Sequence, residues 1–253
     1  MRVIPLPKSF LEKILKPINR LTESCVLNIT PSCIYSISAS ADNTVILFAK
    51  ALFPKESEFV KESIRLNIIS IKRLLSGLEC LGDNGQFSIE LETNNIKCQS
   101  VDNETEEKTF FKYHLVDDSI VREAAVNINK ISSLKFDTEF TIAQSKLKQL
   151  MYGYSFTLDL TKIYFSTREG KVYAEIDDKT LQNVDNITLV AASEYTGVDI
   201  DQATPVSMEV FKNLALCRND IKVKINNQYK VFVFQNTEEE SIELKYIISA
   251  LVK

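Results

Sequence analysis

The sequence predicts an α+β fold of two pseudo-repeated domains, each with two helices packed on antiparallel sheets, and three observations carry that prediction. Short runs rich in β-branched and aromatic residues, separated by turn residues, fill most of the chain. Four segments interrupt them with the 3.6-residue periodicity of a helix. Helix starts near residues 9 and 70 recur near residues 145 and 207, the same offset to within one residue, so the order of elements repeats along the 253 residues.

Residues 8–21 place Phe10, Leu11, Ile14, Leu15, Ile18 and Leu21 on one stripe of an amphipathic helix, with Pro17 expected to kink it. The runs CVLNI, IYSISAS and TVILFAKALF follow as strands, divided by Pro31-Ser32 and Asp42-Asn43. A strand at 65–69 leads into a helix from Ser70 to Cys80 with Ile71, Leu74, Leu75 and Leu78 on its apolar face. Strands near 86–91, 95–100 and 108–115 close the first half. Residues 115–133 have weak periodicity, no Gly and no Pro, and lie near the midpoint, which makes them a connector. The second half then runs strand (134–142), helix (Ser145 to Tyr154), strands near 156–160, 162–167, 171–176 and 187–193, helix (Pro205 to Cys217), and the strands DIKVKIN, KVFVFQN and SIELKYIIS. The division is an N-terminal domain at 1–116, a connector at 117–133 and a C-terminal domain at 134–253.

Composition narrows the function. Apolar residues at 45% and charged residues at 25% are globular values, and a net charge of −4 is not that of a chain coated in nucleic acid, although a local basic face is compatible with it. Five cysteines, at 25, 33, 80, 98 and 217, include no C-x-x-C pair and read as reduced, buried thiols. The sequence shows no secretory h-region and no 18-residue apolar stretch, which points to the cytoplasm, so the sequons at Asn28, Asn103 and Asn186 read as chance matches.

Catalytic patterns are scarce. Six glycines, at 77, 82, 85, 153, 170 and 197, form neither G-x-G-x-x-G nor a P-loop. His114, the single histidine, lies in the strand-like KTFFKYHL and reads as an ordinary strand residue. The acidic pairs Asp117-Asp118, Asp177-Asp178 and Asp199-x-Asp201 could in principle hold Mg²⁺, and each sits in a turn-like segment where solvated acidic loops are commoner. The expectation is a non-enzyme with no cofactor and no metal, the rival being a Mg²⁺-dependent hydrolase using Asp199 and Asp201.

Charge is segregated by element. Lys13, Lys16 and Arg20 share one face of the first helix; Lys72 and Arg73 lie off the apolar stripe of the second; Lys146 and Lys148 flank the stripe of the third; Lys212 and Arg218 belong to the fourth. Acidic runs fall in predicted loops. A solvated face explains any one helix, but basic helices in both halves of a net acidic chain suggest one surface turned to a phosphate backbone. Glu12, Glu79 and Glu209 dilute it. Without aromatic interleaving, the contact is expected to be weak and sequence-independent.

These features resemble the DNA sliding clamps, the processivity rings of replicative polymerases, over essentially the whole chain. The opening SFLEKILKPINRLTESCVLNITPSCIYSISASADNTVILFAKAL is similar to proliferating cell nuclear antigen (PCNA), and Ala41-Asp42-Asn43-Thr44-Val45 loosely matches that family's Met-Asp-Ser-Ser-His-Val turn. FTLDLTKIYFSTREGKVYAEIDD resembles the clamp of T4-type bacteriophages, which suggests a viral source and a host-cytoplasm location with the nucleus left open. LKYIISAL is similar to the family's closing Leu-Lys-Tyr-Tyr-Leu strand, with Ser249-Ala250-Leu251 where the family closes on Ala-Pro.

The resemblance implies a homotrimeric ring of six pseudo-repeated domains around sequence-independent duplex DNA, tethering a replicative DNA polymerase and opened by a clamp loader, with no membrane partner. It implies that DNA faces the helix cations Lys13, Lys16, Arg20, Lys72, Arg73, Lys146, Lys148, Lys212 and Arg218. It implies a subunit interface pairing a first-domain edge strand, with Phe110, Lys112 and His114, against a second-domain edge strand, with Tyr173, Glu175 and Asp177. It also implies a partner-motif pocket at Val45, Leu47, Ile120, Val121, Val126, Ile247, Ile248 and Ala250, residues for which a plain core role is the bland reading. A subunit of a hetero-ring, checkpoint-like clamp and a β-rich adaptor that never closes on DNA are the alternatives.

Overall fold

The computed structural model describes residues 2–5, 7–53, 60, 62–83, 85–121, 123–124, 126, 131, 133–157, 160–181, 184–200, 204–215, 219–239 and 241–249. Arg218, Ala250, Asp201 and Cys217 lie outside the described residues. Two compact units result, one of Met1–Ala41, Leu47–Ala125 and Glu239–Glu243, the other of Asp42–Ile46, Val126–Glu238 and Leu244–Lys253.

Unit 1 begins with β1 (Arg2–Pro5), α1 (Lys8–Asn19), β2 (Cys25–Ile29), β3 (Cys33–Ala39), β4 (Val45–Leu52) and β5 (Ile64–Ile68). It continues with α2 (Ile71–Glu79), β6 (Gly85–Leu91), β7 (Asn95–Asp102) and β8 (Lys108–His114). The strand orders are β1-β6-β7-β8 and β4-β3-β2-β5. β1 is absent from the sequence reading because RVIP is short and ends on proline; it pairs antiparallel with β6, Arg2 opposite Leu91. α1 runs through Pro17 to Asn19 and buries Phe10, Leu11, Ile14, Leu15 and Ile18. It packs against α2, which buries Ile71, Leu74 and Leu78, while Leu75 is half-buried. Ser70 caps α2 by accepting the Arg73 N–H at 3.4 Å, satisfying one of the helix's orphan donors. A Cβ at Gly77 would stand 2.8 Å from the Phe111 ring, so the glycine lets α2 approach β8.

Unit 2 comprises β9 (Thr138–Ile142), α3 (Gln144–Phe156), β10 (Lys162–Arg168), β11 (Lys171–Ile176), β12 (Ile187–Ala192) and β13 (Thr196–Gly197). Then come β14 (Thr204–Ser207), α4 (Glu209–Leu214), β15 (Ile221–Asn226), β16 (Val231–Glu239) and β17 (Ile242–Ser249). The orders are β12-β11-β10-β14 and, in this unit, β13-β9-β15-β16-β17. Its core is aromatic: Phe165 lies 5.9 Å from the rings of Phe140, Phe211 and Phe232, and Phe211 meets Phe234 edge-on at 5.3 Å. Burying each such ring stabilises the unit by about 1.5–3 kcal/mol relative to exposure. α3 packs against α4, and Gly153 brings it close to the sheet, since a Cβ there would meet Ile187 at 3.1 Å.

Two expected elements take a different form. No strand starts at residue 156: α3 continues to Phe156, after which the Thr157 N–H and hydroxyl both donate to the Gly153 carbonyl, at 3.0 and 3.1 Å. Pro205 does not open the last helix. It sits in β14 opposite Tyr164, on the edge of its sheet, where a residue without an N–H is tolerated.

With β13 set aside, the two halves have one topology. β1 corresponds to β9, and β6, β7 and β8 correspond to β15, β16 and β17. The order β4-β3-β2-β5 likewise matches β12-β11-β10-β14.

Candidate nucleic-acid interface and open edges

The first helix pair presents its cations unequally. Lys8 is held by three oxygens: its ammonium donates to the Gly82 carbonyl at 2.8 Å and to Asp83 at 2.7 Å, and stands 3.6 Å from Glu12. The Lys8 hydrogen bond keeps the Asp83 carboxyl below its usual range. Lys16 pairs with Glu12 at 3.2 Å, and Lys13 is half-buried with a partner of its own. Arg20, Lys72 and Arg73 are exposed, and none forms an ion pair among the described residues. These three are therefore the α1 and α2 cations most available to a phosphate.

In the second helix pair Lys146 is half-buried and donates to Gln149 at 3.0 Å, while the Lys212 ammonium lies over the Tyr154 ring, 5.1 Å from its centroid. Lys148 is exposed and without an ion pair among the described residues. α3 contains no acidic residue. It buries Leu147, Leu150 and Gly153, which leaves Tyr152 and Phe156 outward, 76% and 59% exposed. The sequence reading has no aromatic interleaving. The structure corrects this, because rings spaced four apart from Lys148 share its face. The spacing is visible in the sequence, but aromatic residues at helical spacing read as core.

Among the described residues β8 pairs with β7 on one side only, so its other side is an open edge. Phe110 on it is 57% exposed, His114 is exposed opposite Asn95, and Lys112 pairs with Glu92 at 2.9 Å. β11 is not an edge strand. Tyr173 lies between Ser166 and Val190, and Glu175 between Tyr164 and Thr188, with Asp177 just past the strand's end. The open edge of that sheet opposite β14 is β12. The expected edge at 173–178 fails because the β10–β11 hairpin is local in sequence, whereas β12 adds to it across a ten-residue loop.

Of the residues assigned to a partner pocket, Ile120 is 59% exposed, Val126 is half-buried, and Val45, Leu47, Val121, Ile247 and Ile248 are buried. The start of the connector is tied to unit 1. Asn67 donates to the Val116 carbonyl at 3.1 Å, Asn28 donates to Glu123 at 2.9 Å, and Arg65 stands 3.6 Å from Asp118. Asp199 accepts a hydrogen bond from Tyr195, and among the described residues no three His, Cys, Asp or Glu side chains gather to hold a metal. No helix of the described residues is long and apolar enough to cross a membrane.

The two-unit topology has clear structural relatives. PCNA from A. fulgidus, solved with the C-terminal region of FEN-1 bound, superposes with a TM-score of 0.76 at 12% identity, over 100% of this chain and 99% of that one. PCNA from Entamoeba histolytica gives 0.77 at 12% identity, covering 98% and 97%. The fold is that of the PCNA sliding clamps. A PCNA2–PCNA3 complex from Sulfolobus tokodaii gives 0.72 at 12% identity, covering 99% of this chain and 100% of the matched one. A likeness of the second half to T4-type phage clamps is not among what these structures show. No protein-family model and no curated protein sequence matches the chain.

Proposed function

We propose that this chain is the subunit of a non-enzymatic sliding clamp that encircles duplex DNA and tethers a replicative polymerase, loaded by a clamp loader. The observation that carries the proposal is the repeated topology, in which β8 and β12 are both border strands. β17 begins inside unit 1, where the Leu52 N–H donates to the Ser241 carbonyl at 2.7 Å. Its counterpart β8 ends at an open edge, and so does β12, the counterpart of β4. Joining β8 of one copy to β12 of the next extends the repeat from subunit to subunit and covers both edges. Three copies give six repeats, a homotrimer.

The exposed cations Arg20, Lys72, Arg73 and Lys148 then face the duplex, together with Lys13, Lys16, Lys146 and Lys212, whose ammonium groups already have partners. Few phosphate contacts are needed, because a closed ring is retained by topology. The partner motif docks on the start of the connector in unit 1, at the exposed Ile120.

Retention on DNA tests the function directly. The protein is mixed with linear duplex, the ends are blocked with streptavidin, and the mixture is sized at a salt concentration that breaks phosphate contacts. A clamp stays on blocked DNA and slides off open DNA. Loss from both contradicts the proposal.

A further inference from the structure

We infer that the outer face of α3 binds unpaired bases of single-stranded DNA by stacking them on Tyr152 and Phe156. Two large rings, 76% and 59% exposed, stand one helical turn apart on a helix whose inner face is already satisfied by Leu147, Leu150 and Gly153. Burying such rings is favourable and leaving them wet is not, so an outward pair without a cover is a surface awaiting a partner. The chemistry of that partner follows from the neighbours. Lys148 lies one turn before Tyr152 on the same face, and α3 carries no Asp or Glu in a chain of net charge −4. A cation beside aromatic platforms is the combination that binds a single strand, phosphate on Lys148 and bases on the rings. Paired bases in a duplex have their faces covered by stacking, so the rings favour unpaired DNA, as at a junction where duplex gives way to template.

The inference rests on the reading of α3 as a DNA-facing helix, but it needs no closed ring, which separates its failure from that of the clamp. The chain has no tryptophan, so Tyr152→Trp installs a single reporter. We expect a 12-nucleotide oligo-dT to quench that fluorescence, and a blunt duplex of equal length to leave it largely unchanged. The double variant Tyr152→Ala, Phe156→Ala is expected to bind oligo-dT weaker by roughly tenfold or more for each ring, with an unchanged melting temperature because both positions are exposed. Lys148→Ala is expected to weaken oligo-dT and duplex alike. Equal oligo-dT affinity for the wild type and the double variant overturns the inference. So does a double variant that changes the solution mass but not the oligo-dT affinity, which assigns the face to a protein contact.

Discussion

The Tyr113 hydroxyl and the Ser70 backbone bind each other twice: the Ser70 N–H donates to Oη at 2.8 Å, and Oη donates to the Ser70 carbonyl at 3.1 Å. Ser70 caps α2 and Tyr113 lies on β8, so this pair fixes a cation-bearing helix to an open edge strand. Tyr113→Phe removes both bonds and leaves the part-buried Ser70 N–H unpaired, while the Ser70 carbonyl keeps the Leu74 N–H at 3.2 Å. It is expected to lower unfolding stability by about 1–3 kcal/mol, read as a lower denaturant midpoint with an unchanged slope. An unchanged midpoint contradicts the role given to the pair.

The helix cations are predicted to differ in their effect on DNA. Binding of a short duplex at low salt has a log–log salt slope whose magnitude falls by about 0.9 for each phosphate that a side chain no longer neutralises. Arg20→Ala and Arg73→Ala should each lower it by about that amount. Lys16→Ala should lower it less, because Glu12 already occupies Lys16 at 3.2 Å.

The edge assignment separates two substitutions. Phe110→Asp puts a charge on the open edge of β8 and is expected to shift the solution mass toward the monomer at a given concentration, with little effect on the melting temperature. Tyr173→Ala, on an internal strand, is expected to leave the mass unchanged. The reverse result returns the interface to β11.

Burial pushes the Cys25 and Cys98 thiols up to about 12 from an ordinary value near 9, desolvation outweighing the Ser36 hydrogen bond at Cys25. Both remain protonated at neutral pH, whereas Cys80 is exposed. Iodoacetamide at pH 8 should modify Cys80 and spare the buried pair, as peptide mass mapping reads out. A thiol whose folded value is raised contributes its stability fully below the unfolded value and loses it as pH rises through the folded one. Stability should therefore decline from about pH 9 toward 12, and Cys98→Ala should make that decline shallower.

Much of the fold was legible because its signals are local. The stripe of Phe10, Leu11, Ile14, Leu15 and Ile18 marks α1, and Ser70 before Ile71 marks the start of α2. The same local reading misplaced Pro205, because a proline before an apolar run reads as a helix start, and only the pairing of β14 with β10 shows it to be an edge residue. Which strand forms the border of a sheet depends on a distant partner, so the sequence marks 187–193 as a strand without marking it as the border, which local signals put at β11. The outward rings of α3 were hidden for a different reason. Leu147, Leu150, Tyr152 and Phe156 are all apolar, and which of them turn inward is decided by where Gly153 lets the helix touch the sheet at Ile187.

The central claim is that copies of this chain close into a ring through β8 and β12, and light scattering on a sizing column across a range of concentrations measures it most directly. The account predicts a species of three times the 28.7 kDa chain mass that dissociates on dilution. A monomer at every concentration contradicts the homotrimer and leaves a hetero-ring subunit or an adaptor that never closes on DNA.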